Sequence, residues 1–191
     1  MRIIGGRLRG LGLAPVGKGD TAAHLRPTTD RVRESLFNLL QGGRFGDPVT
    51  GAHVLDLFAG TGALGLEALS RGAESVRFVE NGRVALKLLN ANIAKARVEG
   101  DVEVLGMDAT RLGTRTAAQA TLVFLDPPYG KDLGSRALAT AAKAGWIAKG
   151  ALIVWEEAGE QDPPAGFRKL EARRYGDSWL TLLEFAGESS D

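Results

Sequence analysis

The chain contains no cysteine. That excludes disulfides, thiolate zinc sites and any mechanism with a cysteine nucleophile. Histidine is nearly as scarce, with His24 and His53 alone, so no metal centre is expected. Long apolar runs are missing as well. None approaches the ~20 residues that cross a bilayer, and the opening Met1-Arg2-Ile3-Ile4-Gly5-Gly6 lacks the apolar core of a secretion signal. Cytoplasmic residence, away from membranes, is the expectation. Nor does one sign of charge dominate, since 24 Lys and Arg stand against 23 Asp and Glu. The charge is uneven along the chain, however. Residues 1–44 carry Arg2, Arg7, Arg9, Lys18, Arg26, Arg31, Arg33 and Arg44 against Asp20, Asp30 and Glu34, and the remainder is net acidic. Two readings of this basic end stand side by side, a polyanion contact and an ordinary solvated face.

What is present suits one soluble domain. The 191 residues are 44% apolar and 25% charged, enough for a sizeable core. The most informative stretch is His53 to Gly65, HVLDLFAGTGALG. A short apolar run reaching Phe58 leads through Ala59 into Gly60-Thr61-Gly62 and then a helical pattern. This predicts a buried strand, a tight turn and a helix N-terminus whose free N–H groups face a ligand. Asp56 sits inside the strand, where a carboxylate is costly to bury without a partner. Glu80 ends the next apolar run, 20 residues after Gly60. An acid there typically takes ribose hydroxyls, so a nucleoside-bearing cofactor is indicated.

The alternation of elements sets the fold class. Residues 2–13 read as a small β-hairpin with arginines on its open face, and 14–28 as a loop. Thr28-Thr29-Asp30 offers a cap for a helix running to Leu40, with Val32, Leu36, Phe37, Leu39 and Leu40 inward and Arg31, Arg33, Glu34 and Asn38 mostly outward. Then come strand 53–58, helix 62–71, strand 76–80, helix 82–97, strand 102–107, a weakly marked helix near 112–119, strand 121–125, helix 132–145 and strand 151–155. Two last runs, 167–175 and 179–185, predict a closing antiparallel hairpin. The expected fold is α/β, Rossmann-like, with a seven-stranded, mostly parallel sheet covered on both faces. Residues 1–44 are read as an N-terminal extension, 45–186 as the main domain and 187–191 as a disordered tail. Ligands of such sheets collect beyond the strands' carboxyl ends, where Asp56, Glu80, Asp108 and Asp126 fall. Each acid alone reads equally well as a cap for the helix or turn that follows.

Asp126-Pro127-Pro128-Tyr129 follows the fourth strand. Two prolines fix the backbone and remove two N–H donors. The Asp126 carboxylate and the Pro127 carbonyl are left as acceptors, and Tyr129 adds a flat aromatic face. A planar ring with an exocyclic amine fits this set, donating two hydrogen bonds while it stacks. Drawing both N–H groups frees a lone pair otherwise delocalised into the ring, and alignment with an electrophilic methyl can supply up to roughly 7–11 kcal/mol. Asp126 can take the surplus proton.

DLFAGTG, Glu80, Met107-Asp108-Ala109 and DPPY resemble the motif series of class I S-adenosylmethionine-dependent methyltransferases that act on base amino groups. RIIGGRLRG at the start, RPTTDRVRESLFNLL at 26–40 and Arg174-Tyr175-Gly176-Asp177 resemble the RsmD family, over nearly the whole chain. The resemblance implies methyl transfer from S-adenosyl-L-methionine to a guanine N2 of 16S ribosomal RNA in the small subunit. It implies that Asp56 and the turn Phe58, Ala59, Gly60, Thr61 and Gly62 hold the methionine moiety. Glu80 and Asn81 would take the ribose, and Asp108 and Ala109 the adenine. Asp126, Pro127, Pro128 and Tyr129 would hold the guanine. Arg26 to Thr29 would close over the cofactor, and Arg2, Arg7, Arg9, Arg26, Arg31 and Arg33 would engage RNA phosphates. A monomer acting on an assembled or partly assembled subunit is expected. Tyr129 stands where many relatives carry Phe, an exchange that preserves stacking.

Three rival functions share part of this pattern. A DNA adenine-N6 methyltransferase can share DPPY but usually needs a separate target-recognition region. A nicotinamide dehydrogenase fits the glycines and Glu80 but explains neither Asp56 nor DPPY. A non-catalytic RNA-binding protein would be marked by loss of Asp126 or of the glycines, and all are present.

Overall fold

In the computed structural model, residues 1–14, 29–115 and 117–187 are described. Helix α1 spans Asp30–Gln41, followed by β1 (His53–Leu57), α2 (Ala63–Ser70), β2 (Ser75–Val79), α3 (Arg83–Ala96), β3 (Val102–Leu105), β4 (Ala120–Leu125), α4 (Leu133–Lys143), β5 (Ile147–Glu157), β6 (Phe167–Tyr175) and β7 (Ser178–Phe185). The strands form one sheet in the order β3-β2-β1-β4-β5-β7-β6. The first five are parallel, and β7 runs antiparallel to both β5 and β6. This is the expected Rossmann-like sheet with its closing hairpin. No helix among the described residues is long and apolar enough to cross a membrane.

Period-two alternation splits the apolar residues between the two faces. Val54, Val76, Phe78, Leu122 and Phe124 pack with α1, α2, α3 and the N-terminal arm. Leu55, Leu57, Val79, Val123 and Leu125 pack with Ala137, Leu138 and Ala141 of α4. Thr29 caps α1, its Oγ1 accepting the Val32 N–H at 3.3 Å. Ile3 and Leu13 share a core with Leu36, Phe37 and Leu40, so the arm packs onto the sheet domain.

Four expectations need correction. The N-terminal hairpin is a looped arm with one antiparallel bridge, Arg2 to Gly12, and a 3₁₀ turn at Gly6–Leu8. Its strands are interrupted because the N–H groups of Ile4 and Gly5 go to the Glu67 carboxylate at 2.7 and 2.8 Å, and that of Leu8 to Ser70 Oγ at 2.8 Å. No helix occupies the described residues of 112–119. A single 3₁₀ turn, Ala109–Arg111, precedes them, and the Gly113 carbonyl accepts the Trp146 indole N–H at 2.7 Å instead of a helical partner. β3 stops at Leu105, whose carbonyl takes both Glu80 N–H and Met107 N–H. Arg33 faces inward and is fully buried. Its Nη2 donates to the Arg2 carbonyl at 2.6 Å and to Asp30 at 2.7 Å, joining α1 to the arm.

Candidate active site

Parallel pairing places the carboxyl ends of β3, β2, β1 and β4 along one edge of the sheet. Leu57 pairs with Val79 on one side and Leu125 on the other. Glu80 and Asp126, each one residue further on, therefore flank the turn that leaves β1. That turn bends through left-handed dihedrals at Phe58 (φ 62°), Gly60 (φ 56°) and Gly62 (φ 79°). A left-handed Phe costs of order 1–3 kcal/mol and persists only where its surroundings enforce it. Here the Ala59 N–H donates to the Val79 carbonyl at 3.0 Å, and the Gly60 N–H to Glu80 Oε2 at 2.8 Å.

Glu80 organises a second turn too. Its Oε1 accepts the N–H groups of Asn81 and Gly82 at 2.9 and 2.6 Å. Asp56 lies beneath the glycine turn, only 2% exposed. Its Oδ2 accepts the Gly65 N–H at 2.9 Å, supplying from the strand the cap that Gly62 has no side chain to give. Burial raises the Asp56 carboxyl from an ordinary 3.8 to about 7, with Glu80 adding to the rise and the Gly65 bond opposing it. Asp56 therefore shapes the turn from below.

Asp126 begins the loop after β4, its N–H reaching the Leu57 carbonyl at 3.4 Å. Burial pushes its carboxyl well above the usual carboxylate range, and Glu156, Asp56 and Glu157 push in the same direction. Two contacts hold the Pro127-Pro128-Tyr129 loop. Glu157 Oε1 accepts the Gly130 N–H at 3.1 Å, and the Tyr129 hydroxyl lies 3.0 Å from Ser178 Oγ at the start of β7. Asp108 caps the Ala109–Arg111 turn, its Oδ1 accepting from Thr110 N–H and Oγ1, both at 2.8 Å. Those two bonds hold its carboxyl below the ordinary range. Its other oxygen is 3.9 Å from Arg111 Nε, and the side chain is 40% exposed. Ala109 is buried in the core beneath it. Val84 and Met107 are exposed apolar side chains next to this edge.

The sheet edge thus gathers Asp56, Phe58 to Gly62, Glu80, Asn81, Asp108 and Asp126 to Tyr129. The arginines are dispersed. Arg2, Arg7, Arg9 and Arg31 are exposed, with Arg2 3.7 Å from Asp30 and Arg7 3.2 Å from Asp101. The burial of Arg33 takes it off that exposed set, and Arg26, with the segment expected to close over the cofactor as far as Thr28, lies outside the described residues. The sequence reading passed over Glu67, Asn92, Glu156, Glu157 and Ser178. For Asn92 a signal existed: it falls on the apolar period Ala85, Leu89, Ile93 and Ala96 of α3, where a polar residue requires a buried partner.

Residues 1–184 match the family described as "Conserved hypothetical protein 95". The Ribosomal RNA small subunit methyltransferase D of Escherichia coli is 39% identical over 86% of this chain and 78% of its own length. The protein of the same description from Haemophilus influenzae is 35% identical over 86% of this chain and 81% of its own. The solved structure of Escherichia coli yhhF superposes with a TM-score of 0.80 at 35% identity, covering 98% of this chain and 99% of that one. With its sheet order, its strand-end acids and these matches taken together, the chain belongs to the RsmD family of methyltransferases.

Proposed function

We propose that this chain transfers a methyl group from S-adenosyl-L-methionine to the exocyclic N2 amine of a guanine in small-subunit ribosomal RNA, acting in the cytoplasm as a monomer on an assembled or partly assembled subunit. The observation that carries the reading is Asp126. It is a carboxyl of raised pKa at the head of a donor-poor Pro-Pro-Tyr loop, one strand away from a strained glycine turn. A carboxylate with a raised pKa is a stronger base than an ordinary one and better matched to the proton released as the carbon–nitrogen bond forms.

The residues present fit the cofactor. Burial, and after it the neighbouring acids, raises the Asp56 and Asp126 carboxyls, and a cation bound beside them would offset the acidic contribution. When bound, S-adenosylmethionine supplies an electrophilic methyl on a sulfonium. The Phe58–Gly62 turn would present backbone to its methionine end. Glu80 has its oxygens on three backbone N–H groups and would share them with ribose hydroxyls. Asp108 would offer its second oxygen to an adenine amine, with the exposed apolar Val84 and Met107 on the same edge. On the substrate side, the Asp126 carboxylate and Pro127 carbonyl would accept the two N2 hydrogens, with Tyr129 beneath the base. Arg2, Arg7, Arg9 and Arg31 would meet phosphates, and RNA shape would complete recognition.

Asp126→Ala tests this. Labelled methyl transfer to small ribosomal subunits is expected to fall at least about 100-fold, while calorimetric binding of S-adenosylhomocysteine stays within a few-fold of the wild type. Normal turnover by the variant would overturn the assigned chemistry.

A further inference from the structure

Asn92 is fully shielded from solvent, and its amide is bonded in two directions. Nδ2 donates to the Thr61 carbonyl at 2.9 Å, in the middle of the glycine turn. Oδ1 accepts the Ala14 N–H at 2.7 Å, at the end of the N-terminal arm. A carbonyl needs a donor and an N–H needs an acceptor, so these partners fix the amide's orientation. The arm's two side-chain contacts with α3 and the residues just after it are exposed. Lys95 Nζ reaches the Gly12 carbonyl at 2.5 Å, and Arg7 reaches Asp101 at 3.2 Å. Asn92 alone joins the arm's backbone to the turn's backbone through a dry contact among these.

We propose that Asn92 is a positioning residue that makes the arm and the cofactor turn order together. The proposal rests on the reading that the Phe58–Gly62 turn holds the cofactor. A ligand that settles the turn fixes the Thr61 carbonyl, which fixes the Asn92 amide, which fixes Ala14. A buried amide deprived of one partner is costly, so neither end moves freely without the other. Coupling of this kind is reciprocal. RNA that orders the arm tightens the cofactor by the same factor with which the cofactor tightens RNA.

The test is hydrogen exchange of the intact chain with and without S-adenosylhomocysteine, its binding checked by calorimetry. Slower exchange is expected in peptides covering residues 58–66 and equally in those covering 8–14. Protection confined to 58–66 would overturn the coupling while leaving the cofactor reading intact. Binding heat absent, with no protection anywhere, would overturn the cofactor reading and the coupling with it. Asn92→Asp keeps an acceptor for Ala14 but turns a lone pair toward the Thr61 carbonyl. It is expected to bind S-adenosylhomocysteine at least about fivefold more weakly and to lose the ligand-dependent protection at 8–14. A purely structural asparagine would lower the melting temperature and leave that protection in place, which would equally sink the proposal.

Discussion

A carboxyl that keeps its proton to about pH 7 makes the molecule's stability depend on pH in a defined direction. Asp56 releases its proton near 3.8 when unfolded and near 7 when folded. Between those values the native state binds more protons than the unfolded chain. Stability contributed by Asp56 is therefore complete below about pH 4, declines as pH rises, and is lost above 7. At 1.36 kcal/mol per unit, the full swing is on the order of 4 kcal/mol. Asp126, which feels the Asp56 charge, is shifted in the same direction, so its titration also lowers stability as pH rises. Asp56→Asn can still accept the Gly65 N–H and no longer titrates. Urea denaturation of that variant at pH 4, 5.5 and 7 is expected to show a clearly shallower decline than the wild type. An equal slope would mean that Asp56 ionises normally. The importance of Asp56 was legible in the sequence, because an acid inside an apolar strand is anomalous. Its direction was not, since only the folded turn shows the carboxylate under Gly65.

Between α2 and β2 the spacing is set by a missing side chain. A Cβ on Gly65 would come 2.4 Å from Phe78 Cε1 and 2.8 Å from Val76 Cγ1. An aromatic ring and a β-branched side chain, both packed in the core, have little room to give. Overpacking of this kind costs about 1–3 kcal/mol, against about 1 kcal/mol gained from alanine's helix propensity. Gly65→Ala is expected to lower the urea midpoint by the equivalent of up to about 2 kcal/mol. Gly100→Ala, which has open space at its Cβ, is expected to lose nothing. Equal midpoints for the two variants would show that α2 can slide without cost. Elements of this kind were readable from sequence wherever period and punctuation agreed, as in α2, α3, α4, β1, β2 and β4. They were not readable where a distant side chain decided. The arm's pairing was broken by Glu67, which lies more than 60 residues away in α2. The stretch after Asp108 lost its helix to a bond from Trp146, 33 residues further on.

For the molecule as a whole, the sheet places chemistry at its carboxyl edge, and the arm and α1 carry exposed cations. The charge asymmetry was visible at once, but which cations are usable required the fold. Arg33 is spent on holding the arm, whereas Arg2, Arg7, Arg9 and Arg31 remain outside. Arg7 lies against Asp101, with both side chains about half exposed. A surface pair of that kind is worth roughly 0–1 kcal/mol and does not keep Arg7 from a phosphate. Arg9 has no ion-pair partner among the described residues. If the arm binds RNA, each cation removed should lower the slope of log affinity against log salt by about 0.7–0.9. The double variant Arg7→Glu, Arg9→Glu is expected to bind a small-subunit ribosomal RNA fragment more weakly at about 50 mM salt and to converge toward the wild type at about 200 mM, as measured by filter binding. S-adenosylhomocysteine binding in the absence of RNA is expected to stay within a few-fold of the wild type, because neither arginine touches the sheet edge and Asn92 still holds the arm. An unaltered salt slope would move the RNA surface off the arm and return its arginines to the role of a solvated face.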